Sequence, residues 1–290
     1  MNTIIDTVGN TPLVELKRLN TNSKVRVFAK LEGSNPGGSV KDRAALNMIR
    51  SALERGDIKK GTKLIEATSG NTGIALAMMA GIYGLDIELV MPASSTRERT
   101  LTMQAFGAQV TLLESIEVCR DYAEEKGSTE GYFLLNQFAN EDNYLAHYRT
   151  TGPEIWRDTE AGITHFVSSM GTTGTIMGCS RFLKEQNTSI QIVGCQPTDN
   201  SSIPGIRRWP EEYLPKIFDP SRVDTIMDVS EEDAVAAARS LAKKEGIFVG
   251  MSSGGACAVA LRLAAKLSEG IIVFIACDRG DRYLSSDLFA

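Results

Sequence analysis

Four stretches of this chain gather residues whose types and spacing suit chemistry rather than packing. In Asn35-Pro36-Gly37-Gly38-Ser39-Val40-Lys41-Asp42-Arg43 a glycine pair leads straight into a helix signature. Ser39 with Asp42 three positions on, ahead of Ala44, Ala45, Leu46, Met48 and Ile49, predicts a helix capped at Ser39 with Lys41 in its first turn. The unpaired N–H groups of a helix start carry partial positive charge, so an ammonium there loses about 0.3–1 kcal/mol relative to a carboxylate. An amine that works neutral, or bound as an imine, loses much less. Taken alone, the stretch reads first as a turn, a cap and a solvated lysine, so the rest of the chain has to supply the reason for more.

The second stretch, Thr68-Ser69-Gly70-Asn71-Thr72-Gly73, follows the apolar run Leu64-Ile65-Glu66-Ala67, read as a strand. It precedes Ile74-Ala75-Leu76-Ala77-Met78-Met79-Ala80, read as a helix whose methionines fill core. Small-residue loops at the carboxyl ends of strands are where open α/β sheets bind ligands. The donors here are backbone N–H groups, hydroxyls and one amide, a set suited to a carboxylate.

The third stretch, Gly171-Thr172-Thr173-Gly174-Thr175, lies between a strand expected over 165–170 and a helix expected over 176–186. Converging N–H groups, hydroxyls and a helix start make a phosphate cradle, with a plain tight turn as the competing reading. The glycines fit neither the dinucleotide fingerprint nor the P-loop, so a phosphate monoester suits the loop better than NAD or ATP. The fourth stretch, Ser252-Ser253-Gly254-Gly255, is expected at the end of a strand over 246–251, ahead of a helix over 256–267. Two weaker features join these. Gln137 ends the strand-like Tyr132-Phe133-Leu134-Leu135-Asn136-Gln137-Phe138, and Arg207-Arg208 lies in a long loop, either as a solvated face or as a steering site for an anionic substrate.

The elements that must position these groups alternate in α/β rhythm. Strands are expected at 25–31, 64–67, 87–91, 110–113, 165–170, 190–197 and 271–277, and helices at 41–55, 97–106, 118–126, 143–148, 154–158 and 231–245. Short loops between strand and helix imply parallel crossovers. With 290 residues and 42% hydrophobic content, the chain is expected to form two lobes. Residues 36–145 are expected to form a smaller, mobile substrate-loop lobe, and 1–35 with 146–290 a larger one holding the phosphate. The segment 278–285 is expected to end the ordered pattern.

Composition excludes several classes. A net charge of −5 without a basic run argues against a nucleic-acid surface. No 18-residue apolar span suits a membrane, and the start lacks a signal peptide's basic flank and apolar core, so the cytoplasm is expected. Cys119, Cys179, Cys195, Cys257 and Cys277 contain no C-x-x-C pair, which fits reduced thiols, four of them in the core, rather than a disulfide frame or zinc site. With only His147 and His165 present, a histidine-based triad or metal centre is not expected.

A lone lysine, a carboxylate loop, a phosphate loop and a Ser-Ser-Gly-Gly turn together ask for a phosphorylated aldehyde that lysine captures as an imine, pyridoxal 5'-phosphate. At this point the four stretches resemble the cysteine synthases of the fold-type II pyridoxal-phosphate family, along nearly the whole chain. Ile203-Pro204-Gly205-Ile206-Arg207-Arg208-Trp209-Pro210 and Cys277-Asp278-Arg279-Gly280-Asp281-Arg282-Tyr283 are similar to the B type of that family, the O-acetylserine sulfhydrylases that also accept thiosulfate.

The resemblance implies a fold of two lobes, each a mostly parallel twisted sheet flanked by helices, as in the tryptophan synthase β chain. It implies that Lys41 holds the cofactor, Asn71 bonds its ring hydroxyl, Gly171, Thr172, Thr173, Gly174 and Thr175 hold its phosphate, and the Ser252 hydroxyl meets the pyridine nitrogen. Thr68, Ser69, Gly70, Thr72 and Gln137 would bind the substrate carboxylate. Arg207, Arg208 and Cys277 would make room and charge for the second substrate. The implied reaction replaces the acetoxy group of O-acetyl-L-serine by sulfide or thiosulfate, by way of an α-aminoacrylate, in a homodimer. Related enzymes using O-phosphoserine, serine or threonine stay open, as do a non-catalytic metabolite-binding protein and a nucleotide-binding protein. With no further domain expected after Ala290, the regulated cystathionine β-synthases fit less well.

Overall fold

A computed structural model describes residues 3–68 and 70–290, so Met1, Asn2 and Ser69, and with Ser69 one of the expected carboxylate ligands, lie outside the described residues. The chain opens with β1 (Leu13–Glu15) and β2 (Val25–Leu31), paired antiparallel. α1 (Lys41–Arg55) follows and begins at Lys41 itself. The expected cap at Ser39 is not where the helix starts: Ser39 forms an isolated antiparallel bridge with Asp278, and the Val40 N–H donates to the Cys277 carbonyl at 2.8 Å. Those backbone bonds engage Ser39 and Val40 outside the helix, which therefore starts one residue later.

Next come β3 (Lys63–Ala67), α2 (Asn71–Tyr83), β4 (Asp86–Pro92), α3 (Arg97–Ala105), β5 (Gln109–Leu113), α4 (Ile116–Gly127) and β6 (Tyr132–Leu134). The four strands form one parallel sheet in the order β5-β4-β3-β6. α5 (Glu141–Arg149) and α6 (Thr151–Asp158) lead to β7 (His165–Ser169), α7 (Gly174–Gln186), β8 (Gln191–Pro197), β9 (Thr225–Val229), α8 (Glu231–Ser240), α9 (Met251–Ala264) and β10 (Gly270–Ala276). Here the sheet has six strands in the order β1-β2-β10-β7-β8-β9, parallel except at β1. Each sheet is mostly parallel and flanked by helices, as the resemblance to the fold-type II family implies. The chain divides into two compact units, one running up to Val40 and resuming as Tyr144–Ala290, the other Lys41–Asn143.

The larger unit's core shows why its central strands are apolar throughout. Along β10, Ile272 and Phe274 join one buried cluster with Val259 and Ala260 of α9, while Val273 and Ile275 join another with Ile176 and Cys179 of α7. Side chains of a strand alternate between faces, so a strand covered on both needs an unbroken apolar run. In the smaller unit Ile65, Ala67 and Val90 meet Cys119 and Ala123 of α4.

Three departures from the sequence reading have local causes. No strand forms over 246–250: the Ile247 N–H returns to the Leu241 carbonyl, Phe248 accepts from Gly280, and Val249 makes one bridge to Arg279, so no ladder is available. The expected helix over 231–245 changes pitch at Leu241, with Gly246 at φ 71° reversing the chain. β9 was not expected, because Thr225-Ile226-Met227-Asp228-Val229 is an edge strand whose side chains are mostly exposed. The segment after β10 also stays ordered, with short helical turns at Gly280–Tyr283 and Asp287–Phe289 and Asp278 buried.

Candidate active site

In the smaller unit, β3 runs directly into Thr68, which is 3% exposed. Its Oγ1 accepts from the N–H groups of Gly70 and Gly73, both at 3.2 Å, a side-chain bond that bends the chain into α2. Asn71 and Thr72 occupy the first turn of α2, one turn earlier than expected. A Cβ on Gly73 would crowd Thr68 Cγ2 at 2.7 Å, on the side chain whose hydroxyl holds the loop. After β6 the chain turns at Asn136, in the left-handed region at φ 54°. This brings Gln137 back to the loop: the Thr72 hydroxyl donates to Gln137 Oε1 at 2.8 Å, and Gln137 Nε2 donates to the Ala67 carbonyl at 3.0 Å. Asn143 Nδ2 closes the set on the Gln137 carbonyl at 2.7 Å. Lys41 is half-buried at the first position of α1.

In the larger unit, residues 171–173 link β7 to α7, with Thr173 capping the helix at φ 68°. A side chain on Gly171 would meet the Gly205 carbonyl oxygen at 2.6 Å, so the loop has to be glycine there. Trp209 Nε1 donates to the Gly171 carbonyl at 2.7 Å. The hydroxyl of Thr173, a residue 4% exposed, is buried without a hydrogen-bond partner. A phosphate monoester at the start of α7 would satisfy that hydroxyl and meet the helix's first N–H groups, so these residues fit pyridoxal phosphate.

Ser252 lies in the first turn of α9, not in a turn ahead of it: the helix begins at Met251, because 246–250 is no strand and α9 takes its place immediately. The Ser169 hydroxyl donates to the Ser252 carbonyl at 2.7 Å. The arginine pair separates in role. Arg208 is committed to Asp228 at 2.6 Å, to Asp199 at 3.0 Å and to the Pro197 carbonyl. Arg207 donates its backbone N–H to Met170, next to Gly171, and its half-buried guanidinium has no ion pair among the described residues. Cys277 is half-buried, its N–H accepted by the Ser253 hydroxyl at 2.8 Å. Burial pushes the thiols of Cys195 and Cys257 up to about 12 and that of Cys119 up to about 11, which leaves them inert packing groups.

Three further residues touch these loops and escaped sequence reasoning. His147, 1% exposed, has Nδ1 at 2.9 Å from the Thr151 hydroxyl and Nε2 at 3.3 Å from the Thr175 hydroxyl. Its spacing of four from Thr151 was the available signal, masked because Thr151 falls between the helices expected over 143–148 and 154–158. The Arg99 guanidinium packs over Gly70, where a Cβ would meet it at 3.3 Å. Glu66, the lone acid of an apolar strand, is 1% exposed and accepts from the Gln137 N–H at 3.4 Å.

Residues 4–278 match the family model of pyridoxal-phosphate dependent enzymes. The chain is 58% identical over 290 residues to the cysteine synthase B of Pseudomonas aeruginosa, covering 99% of this chain and 97% of the relative. It is 56% identical over 292 residues to the cysteine synthase B of Escherichia coli strain K12, covering 100% and 96%. Among solved structures, the cysteine synthase of Entamoeba histolytica superposes with a TM-score of 0.94 at 36% identity, covering 100% of this chain and 90% of that one. An O-ureido-L-serine synthase superposes equally well, at 35% identity over 100% and 95%.

Proposed function

The chain belongs to the family of pyridoxal-phosphate dependent enzymes, and on that premise we propose that it is a cysteine synthase that replaces the acetoxy group of O-acetylserine by sulfide, with Lys41 as its cofactor-bearing residue. Similarity along the whole chain to cysteine synthases supports the substrates. The observation in the molecule that carries the reading is the Thr173 hydroxyl, buried and unpartnered at the start of α7, where a cofactor phosphate would satisfy it.

In this reading residues 171–175 hold the phosphate, Asn71 the ring hydroxyl, and Ser252 the pyridine nitrogen. Thr72 and Gln137, already joined by a hydrogen bond, take the substrate carboxylate together with Thr68, whose hydroxyl shapes the same loop. Bound, the cofactor supplies the electron sink that acidifies the substrate Cα–H and lets the β substituent leave. Lys41 Nζ then acts as general base at Cα and later returns the proton.

For the second substrate, the reading extends to thiosulfate. Arg207 is the residue that supports it, a half-buried guanidinium with no ion pair among the described residues, whereas Arg208 spends its charge on Asp199 and Asp228. The same guanidinium would suit a phosphate leaving group, so turnover of O-phosphoserine against O-acetylserine tests the choice. Five free cysteines fit a reducing compartment, the cytoplasm, and the assembly proposed by the same resemblance is a homodimer.

The visible spectrum tests the core of this reading. The purified protein is expected to be yellow, to shift to longer wavelength with O-acetylserine, and to return on addition of sulfide. A yellow protein indifferent to O-acetylserine would remove the substrate assignment, and one that stays colourless after incubation with pyridoxal phosphate would remove the catalytic reading.

A further inference from the structure

We propose that Glu66 is a positioning residue for the substrate carboxylate: from inside β3 its carboxyl holds the turn at Asn136 and Gln137, and with it the Gln137 amide that pairs with Thr72. This rests on the reading that Thr72 and Gln137 take the carboxylate.

Packing alone does not account for an acid here. Leu64 and Ile65 beside it are fully buried, and an apolar residue would fill the position without desolvating a carboxyl group. Glu66 Oε2 is buried with no hydrogen-bond partner, a cost an apolar side chain would avoid. What the carboxyl does supply is Oε1, which accepts from the Gln137 N–H at 3.4 Å, with the Asn136 N–H also directed at the group. Those two N–H groups belong to the one strained turn of the loop, since Asn136 is a non-glycine residue at φ 54°. Such a conformation persists where its surroundings hold it.

The consequence passes through two bonds. The turn sets where Gln137 leaves the backbone, and Gln137 is only 3% exposed, its amide spent on Thr72 and on the Ala67 carbonyl. Ala67 follows Glu66 directly and precedes Thr68, so one side chain braces both sides of the loop. Without the acceptor, the turn keeps its bonds from Ala139, Asn140 and Asn143 but loses its tie to β3, and the Gln137 amide shifts against Thr72.

The test compares three variants of the cofactor-loaded protein, titrated with L-alanine, which carries the carboxylate but no leaving group, and read by the change in cofactor absorbance. Glu66→Met keeps the volume and removes the acceptor; Glu66→Gln keeps reach and acceptor; Glu66→Asp keeps the acid and shortens the reach. The methionine variant, or the aspartate variant should methionine not fold, is expected to weaken L-alanine binding by about tenfold, with cofactor content unchanged and the glutamine variant within about threefold of the parent. Normal binding in both shortened and apolar variants overturns the proposal, as does a glutamine variant no better than methionine. Gln137→Ala serves as the control: if it leaves L-alanine binding intact, the carboxylate reading itself falls, and Glu66 with it. If it weakens binding while the Glu66 variants do not, only the role of Glu66 falls.

Discussion

The Thr72 hydroxyl donates to Gln137 Oε1 at 2.8 Å, joining two buried residues 65 positions apart in the chain. One comes from the first turn of α2 and the other from the turn after β6, so the bond exists only when β3 and β6 are paired in register. The loop is thereby assembled before a ligand arrives, which lowers the ordering cost of binding.

Removing either partner separates positioning from chemistry. Thr72→Val is expected to raise the KM for O-acetylserine by about tenfold and to change the cofactor's resting spectrum little, because it deletes one hydrogen bond of roughly 1–2 kcal/mol and leaves Lys41 untouched. Steady-state kinetics with both substrates check this, and an unchanged KM would remove Thr72 from the carboxylate site.

Thr173 offers a prediction with opposite signs in two states. Its hydroxyl is buried without a partner, a cost of roughly 1–3 kcal/mol in the protein without cofactor. Valine has the same shape and the same β-branch, so the left-handed backbone at φ 68° is no worse for it. Thr173→Val is expected to melt higher than the parent when stripped of cofactor, yet to bind pyridoxal phosphate about tenfold more weakly. Thermal melts with and without the cofactor, together with a reconstitution titration, read both effects.

The two arginines of the 203–210 loop are expected to part in function. Arg207→Ala should depress thiosulfate turnover and spare sulfide turnover, since sulfide is small and needs no guanidinium. Arg208→Ala should leave the ratio of the two donors unchanged and cost about 1 kcal/mol of stability, because its pairs with Asp199 and Asp228 are partly exposed. Parallel assays with both donors and a urea melt distinguish them.

Much of this was legible in the chain because apolar runs and glycines act locally. Val25-Arg26-Val27-Phe28-Ala29-Lys30-Leu31 read as a strand and is β2 to the residue, and Gly56 follows α1 where the helix was expected to stop. What escaped depends on partners distant in sequence. The strand expected over 246–251 failed because its backbone groups are taken by Leu241 and by the segment after β10, while Met251 already opens α9. Arg207 and Arg208 are neighbours of one type, and only Asp199 and Asp228 tell them apart. His147 looked incidental until the fold set it between Thr151 and Thr175.

Burial raises the pKa of Glu66 from its ordinary 4.5 to about 8, against the lowering effect of the N–H groups of Gln137 and Asn136 and of the Arg120 charge on α4. Below pH 4.5 folded and unfolded chains both hold the proton and no penalty arises. Between 4.5 and about 8 only the folded chain holds it, so the unfolding free energy falls as pH rises, by up to about 1.4 kcal/mol per pH unit. Above that range the penalty is complete and the slope vanishes. Glu66→Gln cannot ionise, so its stability relative to the parent should climb between pH 5 and pH 8 and then level off. Urea melts of both proteins across that range check this, and a difference that stays constant with pH would mean that Glu66 titrates near its ordinary value.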